Sequence, residues 1–175
     1  MIPDIRILPA DQSDLEPVRS LFQKVMTLQG QDGYRVWDTI DLDGLELQIA
    51  RCLQYKLLLN GGLAGCFSIQ LRDPFIWPDG DRADALYLHR IATDPAFRGH
   101  KLFRHICDWA LEYARLQRLS RIRMDTWAGN HRLIAYYQSY GFVLTGHHTT
   151  PDTPELPLQN RNLRVALLER RSDVI

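Results

Sequence analysis

Residues 86–142 read LYLHRIATDPAFRGHKLFRHICDWALEYARLQRLSRIRMDTWAGNHRLIAYYQSYGF, and their pattern decides the fold. Leu86 to Thr93 predicts a strand that runs through Asp94-Pro95 into a short basic loop, Arg98-Gly99-His100-Lys101. A helix follows at once, because Leu102, Ile106, Trp109, Ala110, Tyr113 and Leu116 recur at helical spacing and mark one buried face. Arg121 to Trp127 predicts a second strand. Strand, helix and strand at this length make a βαβ unit, which crosses over right-handed and sets its strands parallel. Ligands of such sheets collect at the carboxyl ends of the strands, where the loop meets the helix N-terminus. That corner carries Arg98, Gly99, His100 and Lys101 here. Free N–H groups and added cationic side chains favour an anion there, most simply a phosphate.

Outward from this stretch the chain reads as one domain, residues 1–175. Ile5 to Leu8 predicts a first strand. Ser13-Asp14-Leu15-Glu16 reads as a capping box with Pro17 in the first turn, opening a helix whose inner face is Leu15, Val18, Leu21, Phe22, Val25 and Met26. Gly30 to Gly33 ends it, and Asp43 is placed to cap a second helix with Leu45, Ile49, Cys52 and Leu53 inward. Tyr55 to Leu59 and Leu63 to Leu71 predict a hairpin turned by Asn60-Gly61-Gly62. Val143 to Thr150 and Asn162 to Glu169 predict two closing strands around a Pro-rich loop.

Composition narrows the function classes. Lys plus Arg number 21 and Asp plus Glu number 21, so no net charge draws the chain to nucleic acid or an anionic membrane. There is no long uncharged apolar run, and Met1 to Ala10 lacks a basic-then-apolar signal pattern, which predicts a cytoplasmic protein. Cys52, Cys66 and Cys107 form neither a disulfide framework nor a zinc spacing, so no metal is expected.

Ile91-Ala92-Thr93-Asp94-Pro95-x-Phe97-Arg98-Gly99 resembles the start of the acetyl-CoA-binding segment of the GNAT N-acetyltransferases. Asn130-x-x-Leu133-Ile134-x-x-Tyr137-x-x-x-Gly141-Phe142 resembles that family's later segment, at its spacing and in its order. The resemblance implies the acetyltransferase fold: an α/β (α+β) domain with a mixed, mostly antiparallel sheet, a central parallel βαβ unit and helices on both faces. It implies acetyl-CoA as co-substrate and direct acetyl transfer to a primary amine, with no covalent enzyme intermediate. The coenzyme pyrophosphate would meet Arg98, Gly99, His100, Lys101, Leu102 and Phe103, and the backbone of Ile91, Ala92 and Thr93 would meet the pantetheine arm. Lys101 and Phe103 stand where the family places small residues. Lys101 is expected to replace part of the backbone attraction with charge, and Phe103 to turn into the core.

Acetyl transfer to an amine requires loss of a proton from a group whose ordinary pKa is about 10.4. It also needs donors at the thioester oxygen and a proton for the departing thiolate. His89 is the candidate base, since some amine acetyltransferases of the family carry a histidine there and its ordinary pKa is about 6.5. A hydrogen-bonded strand histidine accounts for it as well. By resemblance Tyr137 is the family's general acid and meets the coenzyme near its sulfur, and Asn130 caps its helix and reaches the arm. Tyr87 reads as a packed aromatic or a relay partner of His89. Cys107, in mid-helix, reads as a small buried side chain, and His147-His148 point to opposite faces of a strand, so no paired metal site follows. Asp32, Asp38, Asp41 and Asp43, with Tyr34 and Trp37, lie in the region that borders the acceptor in this family. A small-molecule amine is the expected acceptor. The alternatives are a binding module that holds CoA without turnover and an enzyme acting on a protein; a homodimer would be unsurprising.

Overall fold

The computed structural model describes residues 3–33, 39–78 and 81–172. Along the chain run β1 (Ile5–Pro9), α1 (Leu15–Gln31), α2 (Leu42–Ala50), β2 (Gln54–Leu59), β3 (Gly62–Gln70), β4 (Ala85–Thr93), α3 (Leu102–Leu116), β5 (Arg121–Trp127), α4 (His131–Gln138), β6 (Val143–Thr149) and β7 (Arg164–Arg171). The strands are hydrogen-bonded in the order β1-β2-β3-β4-β5-β7-β6. β4 and β5 are parallel, as the βαβ reading requires, while β1–β2, β2–β3, β5–β7 and β6–β7 are antiparallel. The chain groups into two compact units, Met1–Ile69 with Arg90–Ile106, and Gln70–His89 with Cys107–Ile175. β4 and α3 each contribute residues to both.

In the first unit, Val18, Leu21 and Phe22 of α1 are buried with Leu45 and Ile49 of α2, Cys66 of β3 and Ala92 of β4 in one apolar cluster. The helix starts differently from the sequence expectation. The capping box lies on Asp11, whose side chain accepts from the Ser13 N–H at 2.9 Å while Asp14 accepts from the Asp11 N–H at 2.8 Å. A tight 3-10 turn over Gln12–Asp14 precedes α1, so the unpaired N–H groups begin earlier than Ser13. Asp14 then holds Lys56 of β2 at 2.6 Å. In α2 the cap is Asp41 rather than Asp43, accepting from the Gly44 N–H at 3.0 Å. Cys52 is exposed and not inward, because it follows the helix at φ 55 and reverses the chain. The β2–β3 turn is as the sequence reads: Asn60 and Gly61 sit at φ 51 and 84, the positive angles of a type I′ hairpin. Tyr34, Trp37 and Asp38 lie outside the described residues.

The second unit is built on β5, β7 and β6. On β5 the apolar Ile122 and Met124 are buried and alternate with Arg121, Arg123 and Asp125, the period of a strand with one polar face. Arg123 is itself buried, which a cation tolerates only with partners. It has them: Glu169 at 2.8 Å, the Tyr87 hydroxyl at 3.1 Å and the Trp77 ring face at 4.5 Å. Tyr87 also reaches Asp81 at 3.3 Å and is fully buried, so it braces the segment before β4 as a packed aromatic. Along α3, Leu102, Phe103 and Ile106 of the first unit and Cys107, Ala110 and Ala114 of the second are buried. Leu116, assigned to that face by spacing, is 63% exposed because the helix ends there and Ala114 carries the last buried turn. Among the described residues no helix is long and apolar enough to cross a membrane.

Candidate active site

β4 carries the candidate residues His89, Ile91, Ala92 and Thr93. Its ladder with β5 pairs Ala85–Leu88 with Arg121–Met124, and both strands then continue, β4 to Thr93 and β5 to Trp127. Just past the ladder Arg90 stands at φ 50, a left-handed residue inside a strand and so a local bulge. Its guanidinium lies 3.3 Å from Asp41, the cap of α2. Beyond the bulge, Ala92 turns its peptide toward β3: its carbonyl oxygen would lie 3.0 Å from a Cβ at Gly65, and its N–H favours the charged form of the Cys66 thiol, which burial pushes up to about 12. The Asp94 backbone N–H donates to the Ala64 carbonyl at 2.8 Å on the same side. Since successive residues of a strand alternate, Ile91 and Thr93 direct their N–H and C=O groups to the other edge. Gly65 therefore has a steric reason to be glycine. Gly65→Ala should lower stability by about 1–3 kcal/mol, the usual cost of crowding a packed position. A denaturant midpoint equal to the parent's would contradict this.

At the end of β4, Asp94 accepts from the Ala96 N–H at 2.8 Å and pairs with Lys24 of α1 at 2.6 Å. A 3-10 turn at Pro95–Phe97 leads to Arg98, Gly99, His100 and Lys101, all exposed, and then to the first turn of α3. Gly99 has φ 95 and Lys101 φ 50. Lys101 thus takes the left-handed backbone that a glycine would supply at that position, at a cost of about 1–2 kcal/mol. Phe103 is only 2% exposed, and Leu102 is buried beside it, so both side chains leave the helix N-terminus open. What remains at the corner is backbone N–H groups, a helix dipole and two cations, an arrangement suited to a phosphate.

In the second unit, His89 lies between two carboxylates. Its Nε2 is 3.1 Å from Asp73 Oδ2 and its Nδ1 is 3.5 Å from Asp125 Oδ1. Burial alone would push the imidazole pKa down, but Asp125 and Asp73 outweigh it and raise it to about 9. His89 is therefore an imidazolium at neutral pH. The three residues place donor atoms within 4.8 Å of one another. The carboxylates address the two different ring nitrogens, which is how a doubly protonated imidazole is held, whereas a metal ion takes one nitrogen. Tyr137 of α4 is buried, and its hydroxyl pKa is raised by burial first, then by Tyr136, Asp125 and Cys107. It keeps its proton and is a donor. Asn130 caps α4 by accepting from the Leu133 N–H at 3.0 Å. Cys107 is buried with its thiol pushed up to about 11, chiefly by burial, and is no nucleophile at neutral pH. His148 spends Nε2 on the Phe75 carbonyl at 3.0 Å, while His147 is on the exposed face.

The sequence pattern of the acetyltransferase (GNAT) family matches residues 19–142. The chain belongs to that family. Among curated proteins the chain is 30% identical over 74 residues to the uncharacterized N-acetyltransferase YesJ of Bacillus subtilis, a match covering 42% of the chain and only 41% of YesJ's length. Its fold is similar to that of a GNAT-family acetyltransferase from Listeria monocytogenes, with a TM-score of 0.76 and 22% identity over 95% of this chain and 94% of that one. It is also similar to yncA, a putative acetyltransferase from Salmonella typhimurium solved with its cofactor acetyl-CoA, with a TM-score of 0.67 and 20% identity over 97% and 95%.

Asp73 and Asp125 are residues of this candidate site that sequence reasoning overlooks. Asp125 had a signal: the alternation Arg121, Arg123, Asp125 marks one polar face, and the parallel register sets Tyr87 beside Arg123, hence His89 beside Asp125. Asp73 lies in a Pro-containing loop, and nothing local announces that its carboxylate is buried against a strand histidine.

Proposed function

We propose that the protein transfers the acetyl group of acetyl-CoA directly to the nitrogen of a primary amine, working as one domain on a small-molecule acceptor. The observation that carries this reading is the corner after β4, where Lys101 adopts the left-handed backbone and Phe103 is buried, so the two departures from the family's loop leave the helix N-terminus open to a pyrophosphate. Arg98, Gly99, His100 and Lys101, with the first peptide groups at Leu102 and Phe103, would hold the phosphates. The outward edge of Ile91 and Thr93 suits the amides of the pantetheine arm, and the Thr93 N–H suits the thioester oxygen. Asn130 holds the start of the helix that presents Tyr137.

In this reading the acceptor reacts as its neutral amine, and neutral His89 takes the one proton that the nitrogen sheds as the new C–N bond forms. The nitrogen lone pair attacks the thioester carbon, the C–S bond breaks with its electrons going to sulfur, and Tyr137 supplies the proton that makes a thiol. A base held near 9 is scarce in its free form at neutral pH but closer in strength to an alkylamine than an ordinary histidine. Calorimetric titration with acetyl-CoA, repeated with phosphate-free pantetheine, tests the coenzyme half. Micromolar binding that requires the phosphates is expected, and Lys101→Ala should weaken acetyl-CoA about 10-fold, as for one lost charge-assisted contact, without changing pantetheine. Absence of acetyl-CoA binding into the millimolar range would overturn the proposal.

A further inference from the structure

The face of β4 and β5 that carries His89 and Asp125 carries Tyr87 and Arg123 one strand repeat earlier, since the parallel register sets Tyr87 beside Arg123. The segment before β4 rests on both pairs through a single turn, closed by the Trp77 N–H donating to the Asp73 carbonyl at 2.9 Å. Residues four apart in such a turn advance about 6 Å, close to the roughly 6.6 Å between side chains on one strand face. A Trp77 ring seated on the first pair therefore lands Asp73 on the second. The distances agree: the Arg123 guanidinium is 4.5 Å from the Trp77 ring centre, and Asp73 Oδ2 is 3.1 Å from His89 Nε2. Trp77 is buried in a cluster with Ala85 and Tyr87, flanked by Ile76 and Leu167. Its Nε1–H meets no acceptor among the described residues, so the indole is held by its ring face and by packing. Glu169 and the Tyr87 hydroxyl keep Arg123 from turning away. On the same turn, the Phe75 carbonyl is held by His148 of β6 at 3.0 Å.

We infer that Trp77 is a positioning residue: by resting on Arg123 it fixes the turn that keeps the Asp73 carboxylate against His89 Nε2, and so sets the pH range in which the enzyme works. This rests on the acetyltransferase reading above, in which His89 is the base. The structure places two charged groups at His89, Asp73 from the turn and Asp125 from β5. Arg123 with Glu169 of β7, and Asp81 on the Tyr87 hydroxyl, stand one strand repeat away. Asp125 is fixed by its own strand, so loosening Trp77 removes Asp73 alone. Both carboxylates favour the imidazolium against the effect of burial. Loss of Asp73 must then lower the pH at which His89 gives up its proton.

The test titrates His89 by NMR in protein labelled with nitrogen-15 at histidine, its signal identified by its loss in His89→Ala. Trp77→Leu should lower the midpoint by about 1 pH unit or more, the ordinary weight of one close opposite charge. The pH–rate profile for 2,2,2-trifluoroethylamine, uncharged across this range, should move down with it. Trp77→Phe keeps a ring over the guanidinium and should hold the midpoint close to the parent's. A folded Trp77→Leu protein with the parent's midpoint, or a Trp77→Phe protein shifted as far as Trp77→Leu, would overturn the inference. Should Trp77→Leu fail to fold, His148→Ala decides: it releases the Phe75 carbonyl and should move His89 in the same direction, and an unmoved midpoint would overturn the inference. The NMR titration needs no turnover. A lowered midpoint in a protein that transfers acetyl to no amine would refute the acetyltransferase reading and keep the positioning, whereas acetyl transfer with an unmoved midpoint would refute the positioning alone.

Discussion

Replacing Tyr137 by Phe should lower kcat about 100-fold or more, the usual weight of a positioned proton donor, while acetyl-CoA binds as tightly as before. The ring is buried in α4 and the substitution keeps nearly all its volume, so the packing around it has no reason to change. What is lost is one hydroxyl whose pKa is raised first by burial, then by Tyr136, Asp125 and Cys107. Such a group stays protonated at every working pH and offers its proton only where negative charge grows, as on a departing thiolate. Equal losses in turnover and in coenzyme affinity would remove its role as an acid and leave a merely structural one.

The second large effect belongs to His89. His89→Ala should lower kcat about 100-fold for an amine that is already neutral, such as trifluoroethylamine, by removing the base. It should also abolish the rise of rate toward pH 9, the value to which Asp125 and Asp73 lift the imidazole against the opposing effect of burial. With an alkylamine the acceptor's own titration would overlap the profile; the neutral amine separates the two. Stability must follow the same linkage. Because the folded pKa lies above the ordinary value of about 6.5, the folded state binds the extra proton between about pH 6.5 and 9. The stabilisation is therefore fully present below about 6.5 and is lost as pH rises through about 9, a change of about 3 kcal/mol. His89→Ala should flatten this slope in urea titrations run from pH 6 to 9.5. A rate profile and a stability slope both equal to the parent's would exclude His89 as base and as the ion-paired centre.

Much of the fold is legible in the sequence. The βαβ stretch, the Asn60-Gly61 hairpin, the Asn130 cap and the basic corner all rest on local rules: period, turn chemistry, and helix ends that leave N–H groups unpaired. The misplacements also have local causes. A 3-10 turn moved the first cap from Ser13 to Asp11, and the end of α3 left Leu116 outside. The ionisation of the site is a different matter. His89 looked like an ordinary base near pH 6.5 because its partners lie in a distant loop and on another strand, and only the register brings Asp73 and Asp125 to its two nitrogens. Lys101 likewise looked like a broken glycine position. Its left-handed backbone is set by the turn around it and cannot be read from the residue type.

In the proposed reaction acetyl passes directly from coenzyme to amine. This is tested most directly by incubating the purified protein with acetyl-CoA, with and without ethylamine, while following released thiol and N-acetylated amine together. Direct transfer should release one thiol for each N-acetylethylamine formed, with negligible release without amine and no acetyl group left on the protein. Thiol release without amine, an acetylated protein that later acetylates the amine, or no release at all would contradict it.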